Sequence, residues 1–173
     1  MMMNNRYISL FSSLHTAKIA GKQAPHKAVL LLSIMDLVEA GIITSPRIEL
    51  SEALQGTFAR VWKRYIGTSR IFTPKVATPF WHMQNEPFYR LFMNNDQQLT
   101  GGIGRYSVTW LRENTYAMID HELLKLMQDE NSRAELRTVL IGQYLQGLHV
   151  GVDGNVMASS IITVLGLLLQ TVA

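Results

Sequence analysis

Pro25-His26-Lys27-Ala28-Val29-Leu30-Leu31-Leu32-Ser33-Ile34-Met35-Asp36-Leu37 is the stretch on which the fold turns. Its middle is apolar nearly all round, which predicts a helix at the centre of a core and not on a surface. Pro25 stands where a first helical turn tolerates proline. Asp36 and Glu39 mark a wet edge, and Gly41 stops the helix, so it should run from His26 to Ala40. Upstream, Leu10, Leu14 and Ala17 share one side of a first helix expected over Tyr7 to Ala20 and ended by Gly21. Downstream, Ile42, Ile43, Pro46 and Ile48 to Leu50 suit a short strand or connector. Ser51 is a good N-cap, with Glu52 favourable in the first turn. Leu54, Phe58, Val61, Trp62, Tyr65 and Ile66 then recur at helical spacing, and Arg60, Lys63 and Arg64 fall largely off that stripe.

Beyond a polar, basic loop from Thr68 to Val76 the period changes to two. Phe80 to Met83 and Phe88 to Phe92 flank Gln84-Asn85-Glu86-Pro87, a pattern that predicts an antiparallel hairpin. Asn94 to Gly104 suits a loop, and Gly101, Gly102 and Gly104 a hairpin turn, being too loose for a dinucleotide fingerprint. Arg105 to Leu111 fits either a strand or a helix start. Asp120 should cap a helix to about Gln128, and Asn131 or Ser132 should start another to about Gln146. These elements predict an α+β class: a mostly helical single domain over residues 1–147 with a small antiparallel sheet. Residues 148–173 form a tail without charge from Ala158 onward, either an appendage or a final buried helix.

The 173 residues suit one domain, burying roughly 70% of the surface of the unfolded chain. With no cysteine, a disulfide scaffold, a thiolate metal site and a cysteine nucleophile are excluded together. Charged residues are 17% against 47% hydrophobic, the balance of a globular chain. Ala158 to Ala173 is too short and too polar for a membrane span, and no signal peptide opens the chain, so a cytoplasmic protein is expected.

Charge is unevenly placed. Residues 1–112 carry thirteen Lys/Arg and six Asp/Glu, a balance of +7, whereas residues 113–173 stand at −4. Arg60, Lys63, Arg64, Arg70 and Lys75 fall in one stretch without an acid. Such a stretch suits a polyanion, since each phosphate neutralised releases counterions; it equally suits a solvated helix face and loop.

Catalytic signatures are missing. No two of His15, His26, His82, His121 and His149 stand at i, i+4, and there is no HExxH, GxSxG or Walker sequence. No metal or cofactor is expected, and no enzymatic centre. Asp120-His121-Glu122 is better explained by helix capping than by catalysis. His26 and Lys27 at a helix mouth could cradle a phosphate on free N–H groups, or could solvate the helix start. In a strand, Phe80 and His82 would share one face and Trp81 and Met83 the other, one pair being core.

Three pieces in order carry a resemblance: Pro25-His26-Lys27 opening the Leu-rich helix, the Phe58 to Tyr65 helix with Trp62, and Thr78-Pro79-Phe80-Trp81-His82-Met83 leading into Phe88-Tyr89-Arg90-Leu91. Leu111-Arg112-Glu113 and an acidic C-terminal helical pair follow. Over about residues 5–147 the chain resembles the sulfur-binding domain of phosphorothioate-dependent type IV restriction endonucleases of the HNH class. The resemblance implies a mostly helical α+β reader of double-stranded DNA whose backbone carries sulfur in place of one non-bridging phosphate oxygen. The sulfur would sit in a shallow apolar cup while basic and polar groups hold the flanking phosphates.

Carried over, the resemblance makes Pro79 the apolar wall and sets His82 near the cup, with His26 and Lys27 holding the backbone at the helix mouth. Arg105 would add a contact from the loop after the hairpin; Arg70 and Lys75 would contact phosphate by charge alone. Two positions depart from the family: Thr78, where a Tyr often precedes the proline, gives a smaller, more polar wall, and His82 narrows a cup where the family has a small neighbour. The family's His-Asn-His nuclease module would follow the reader. No such segment follows here, so the expectation is a free-standing reader for defence, working with a nuclease subunit or as a homodimer, or a truncated product whose tail is a linker remnant. A helix-turn-helix regulator built on the first two helices and a protein-interaction module using the tail are the alternatives; against the former, the second helix is too apolar to read bases.

Overall fold

A computed structural model describes residues 2–100 and 106–148; the Gly101 to Gly104 turn, Arg105 and the tail beyond Leu148 lie outside the described residues. The apolar run does form the central helix, α2 (His26–Glu39), with Pro25 at its N-cap and residues 27–35, Leu37 and Val38 buried. Leu30, Leu31, Ile34 and Met35 are completely enclosed. Each such side chain contributes about 1.5–3 kcal/mol by leaving water. One polar group inside, the Ser33 hydroxyl, donates to the Val29 carbonyl (2.6 Å).

Helices surround α2. α1 (Met2–Ser12) lies on the C-terminal helices and buries Tyr7 and Phe11. It ends at Ser12, not near Ala20. Residues 13–17 form a loop, and β1 (Lys18–Ile19) pairs with β2 (Lys22–Gln23) in a small hairpin. The polar, lysine-bearing pattern there has no apolar face to bury, so the helix has nothing to pack. Gly21 (φ +76°) and Ala20 (φ +51°) make the tip, a left-handed pair that matches strand twist. With a hairpin between α1 and α2, and α2 enclosed, no helix-turn-helix exists here.

α3 (Glu52–Tyr65) begins as expected, the Leu54 N–H donating to the Ser51 hydroxyl (3.2 Å). The largest departure follows. Residues 77–85 are not a strand but α4 (Ala77–His82) and a 3-10 turn (Met83–Asn85), which bury Pro79, Phe80, Trp81 and Met83 together. A short apolar run fits both periods, and burying the consecutive Pro79, Phe80 and Trp81 together, which an alternating strand would split between two faces, decides for the helix. Pro79 costs no hydrogen bond in a first turn.

β4 (Tyr89–Met93) therefore finds other partners. The sheet order is β3-β6-β4-β5, all antiparallel, with β3 (Arg47–Ile48), β5 (Gln98–Leu99) and β6 (Thr115–Ile119). Its inner face aligns Tyr89 with Ile119 and Leu91 with Ala117; the outer face stacks Phe92 on Tyr116 at 5.4 Å. β6, unforeseen in the sequence, follows α5 (Val108–Asn114), which settles Arg105 to Leu111 as a helix start in its described part. α6 (His121–Gln128) follows Asp120, whose carboxylate caps nothing: it accepts from the Tyr7 hydroxyl (2.9 Å) and from Arg90 (3.0 Å). α7 (Glu130–Leu140) is capped by Asp129, ahead of the expected start, and passes into a π turn (Ile141–Leu145).

Candidate functional site

Three segments meet at the mouth of α2: loop 13–17 with the hairpin behind it, the start of α2, and α4. Between them lies an open groove of about 320 Å³. Pro79, Ala17 and Ala24 supply apolar wall, and His26, Lys27, Thr78 and His82 supply polar edge. The structure thus brings five of the eight residues singled out from sequence to one place. Arg70 and Lys75 are exposed on the adjoining loop and do not line the groove. Arg105 lies outside the described residues.

His26 fastens that loop. Its ring packs on Trp62 at 4.8 Å and meets Phe72 edge-on at 6.1 Å, while Nε2–H donates to the Thr73 carbonyl (2.8 Å). Nδ1 is then the nitrogen left for a ligand. Burial holds His26 below the ordinary imidazole value and outweighs the opposing pull of the Thr73 carbonyl, with Lys75 adding to the drop. At pH 7 the ring is largely neutral. The loop itself is shaped by Gly67 (φ +64°), whose N–H caps α3 on the Trp62 carbonyl (3.0 Å), and by the Ser69 hydroxyl, which accepts from the Ile71 and Phe72 N–H groups (3.1 Å each).

On another edge, Tyr106 stacks on Trp81 at 5.0 Å, and its hydroxyl lies 2.8 Å from His82 Nε2. Burial, then the nearby Lys27 charge, keep His82 below the usual imidazole range. Tyr106 was not foreseen; it follows the glycine loop with no periodic pattern to flag it.

Lys27 departs from the expected geometry. Its ammonium is enclosed and bonds the Glu86 carboxylate, so the charge assigned to an outside phosphate is engaged inside. Glu86 also accepts from the His15 backbone N–H (2.9 Å) and faces His15 Nδ1 at 3.1 Å. Glu86 looked like a turn residue in sequence; its partner is far away along the chain.

Cations on α3, on the loop after it and on the hairpin are open. Among the described residues, Arg60, Lys63, Arg64, Arg70 and Lys75 pair with no carboxylate, nor do Lys18 and Lys22 on the hairpin. No group of three or more His, Asp and Glu residues able to hold a metal occurs among the described residues, and no helix there is long and apolar enough to cross a membrane.

This mostly helical α+β fold has a counterpart among solved structures. The solved structure that shows this is "Sulfur binding domain of ScoMcrA complexed with phosphorothioated DNA", to which the chain is similar with a TM-score of 0.60 and 18% identity, over 84% of this chain and 90% of that one. No family model matches the chain, and no curated protein does.

Proposed function

We propose that this chain is a DNA-binding domain that reads a phosphorothioate-modified backbone within a restriction-type defence system, without a catalytic centre of its own. The observation that carries the reading is the groove. In a fold shared with a domain solved on phosphorothioated DNA, an apolar wall at Pro79 lies beside His26, Thr78 and His82, and the loop that His26 fastens carries the exposed, unpaired Arg70 and Lys75.

The physical basis is a mismatch of solvation. Sulfur is larger, softer and less hydrated than oxygen, so an apolar cup costs it little. A phosphate oxygen in the same cup loses water without a replacement hydrogen bond, at about 1–3 kcal/mol. That is roughly a tenfold to hundredfold preference. The Tyr106 hydroxyl, 2.8 Å from His82 Nε2, holds the polar rim on that side. Arg70 and Lys75, on the loop that His26 fastens, hold flanking phosphates, and Arg105, just before Tyr106 in the chain, adds a contact. Such contacts position the protein and carry general affinity. The reader spans residues 1–147 and acts on double-stranded DNA in the cytoplasm. Cleavage belongs to a nuclease partner subunit or to a dimeric assembly.

The test is a titration of the purified chain against two matched duplexes, one with a single Rp phosphorothioate linkage and one without, at one fixed salt concentration. Preference for the sulfur duplex is expected. Equal binding leaves a backbone-charge binder, and binding to neither removes nucleic acid as the ligand.

A further inference from the structure

The groove wall contains a cation that the groove does not expose. Lys27 lines the groove, whereas Glu86 lies behind it; their side chains are 6% and 2% exposed. Burying both charges is expensive, and a well-packed neutral pair is often as stable, so stability alone does not account for the pair. Its position suggests a different use.

A Lys27 ammonium released from Glu86 would stand at the wall as a donor. An N⁺–H···O⁻ bond to phosphate is short and strong. Sulfur is a weak acceptor, so the same donor would do far less for a thiophosphate sulfur. A free cation would therefore raise affinity for an ordinary phosphate and erase the solvation mismatch on which discrimination depends. With Glu86 in place, the Oε1 that accepts from Lys27 also accepts the His15 N–H at 2.9 Å, and Oε2 stands 3.1 Å from His15 Nδ1. The carboxylate is thus held from loop 13–17 as well as from α2, and cannot readily swing away.

We propose that Glu86 is a specificity-determining positioning residue: by keeping the Lys27 ammonium in an internal ion pair, it withholds a cation from the groove and makes the groove select thiophosphate sulfur over phosphate oxygen. The proposal rests on the DNA reading above and adds to it a residue that touches no DNA.

The experiment measures affinity for the sulfur and the unmodified duplex across a salt series, for the wild-type chain, Glu86→Gln, and the double variant Lys27→Met with Glu86→Gln. Circular dichroism checks that each is folded. Glu86→Gln is expected to bind unmodified DNA about tenfold more tightly and to lose about that factor of preference. Its salt dependence on unmodified DNA should steepen by about one phosphate contact. The double variant, with no cation to release, should return preference and salt slope to wild-type values, a rescue that a merely structural role for Glu86 would not produce. Unchanged preference and slope in Glu86→Gln, or no rescue in the double variant, overturns the proposal while the reader function stands. If Glu86→Gln does not fold, Glu86→Asp, which draws the carboxylate back by one methylene, should shift preference in the same direction; no shift overturns the proposal. A wild-type chain that binds neither duplex, or both equally, instead defeats the underlying reading and the proposal with it.

Discussion

The two ends of α2 handle charge in opposite ways. At the C-terminal end, Asp36 and Glu39 are met by arginines from α7: Arg137 reaches Asp36 (2.6 Å) and Glu39 (2.8 Å), and Arg133 reaches Glu39 (3.3 Å). Arg133, largely buried, also donates to the carbonyls of Met127 (2.8 Å) and Gln128 (3.1 Å) at the end of α6. Acids at a helix C-terminus oppose the helix dipole, and the arginines offset this while joining α2, α6 and α7. At the N-terminal end Lys27, in the groove wall, is neutralised from behind, and the exposed Arg70 and Lys75 on the adjoining loop meet no carboxylate among the described residues. A cation closed by acids and carbonyls joins elements; a cation left open is available to a ligand. Charge at the first end should govern stability, and charge at the second should govern binding.

Pro79→Glu tests the distinction most severely. A carboxylate in the apolar wall would repel the backbone and should reduce affinity for the sulfur duplex by about a hundredfold, with preference abolished, in the same titration. If preference survived, the cup would lie elsewhere. Arg133→Ala should do the reverse. Losing charge-assisted bonds to two carbonyls and Glu39 should cost about 2–3 kcal/mol, a fall of roughly 4–12 °C in melting temperature for a chain of this size. Affinity for both duplexes should be unchanged in the folded fraction; altered discrimination would break the division between the two ends.

Smaller effects belong to the open cations. Arg70→Gln or Lys75→Gln should weaken binding to both duplexes by the same factor and reduce the salt slope by about one unit each, with no change in preference. Unequal loss on the two duplexes would move that residue from backbone contact to discrimination. The smallest effect is a pH dependence. Burial lowers the His26 and His82 values in the folded state relative to the ordinary 6.5. Between the lowered folded value and 6.5 the unfolded chain binds more protons, so stability rises with pH there. The contribution is complete above about pH 6.5 and is lost as pH falls through the folded value. Denaturant midpoints from pH 7.5 down to 5.5 should fall, and His26→Gln should flatten the trend. A phosphate held at Nδ1 would favour the protonated ring, so binding should strengthen over the interval in which folding weakens.

Much of the helical scaffold was legible because it rests on local rules. The burial of Ala28 to Met35 in α2 follows from a run apolar nearly all round, and α3 from a Ser51 cap and a stripe at helical spacing. The α4 region was misjudged because nine residues of mixed apolar character satisfy either period. The expected hairpin moved accordingly: β4 turns through Asn94 to Gln97, with Asp96 at φ +66°, and pairs with β5 and β6 instead of with residues 80–83. His26, Thr78, Pro79 and His82 line one groove, and His82 faces Tyr106 from a helix end and not from a strand face.

Local residues settle the central helix, the Ser51 cap and apolar spacing of α3, and the basic character of the front of the chain, since each depends on residues a few positions apart. Which cations are free depends instead on long-range packing. Lys27 and Glu86 are 59 residues apart, and Glu39 and Arg133 are 94 apart. No periodicity pairs residues at such separations; their ionic state is set when burial removes water and leaves each charge to the partner that packing brings within reach.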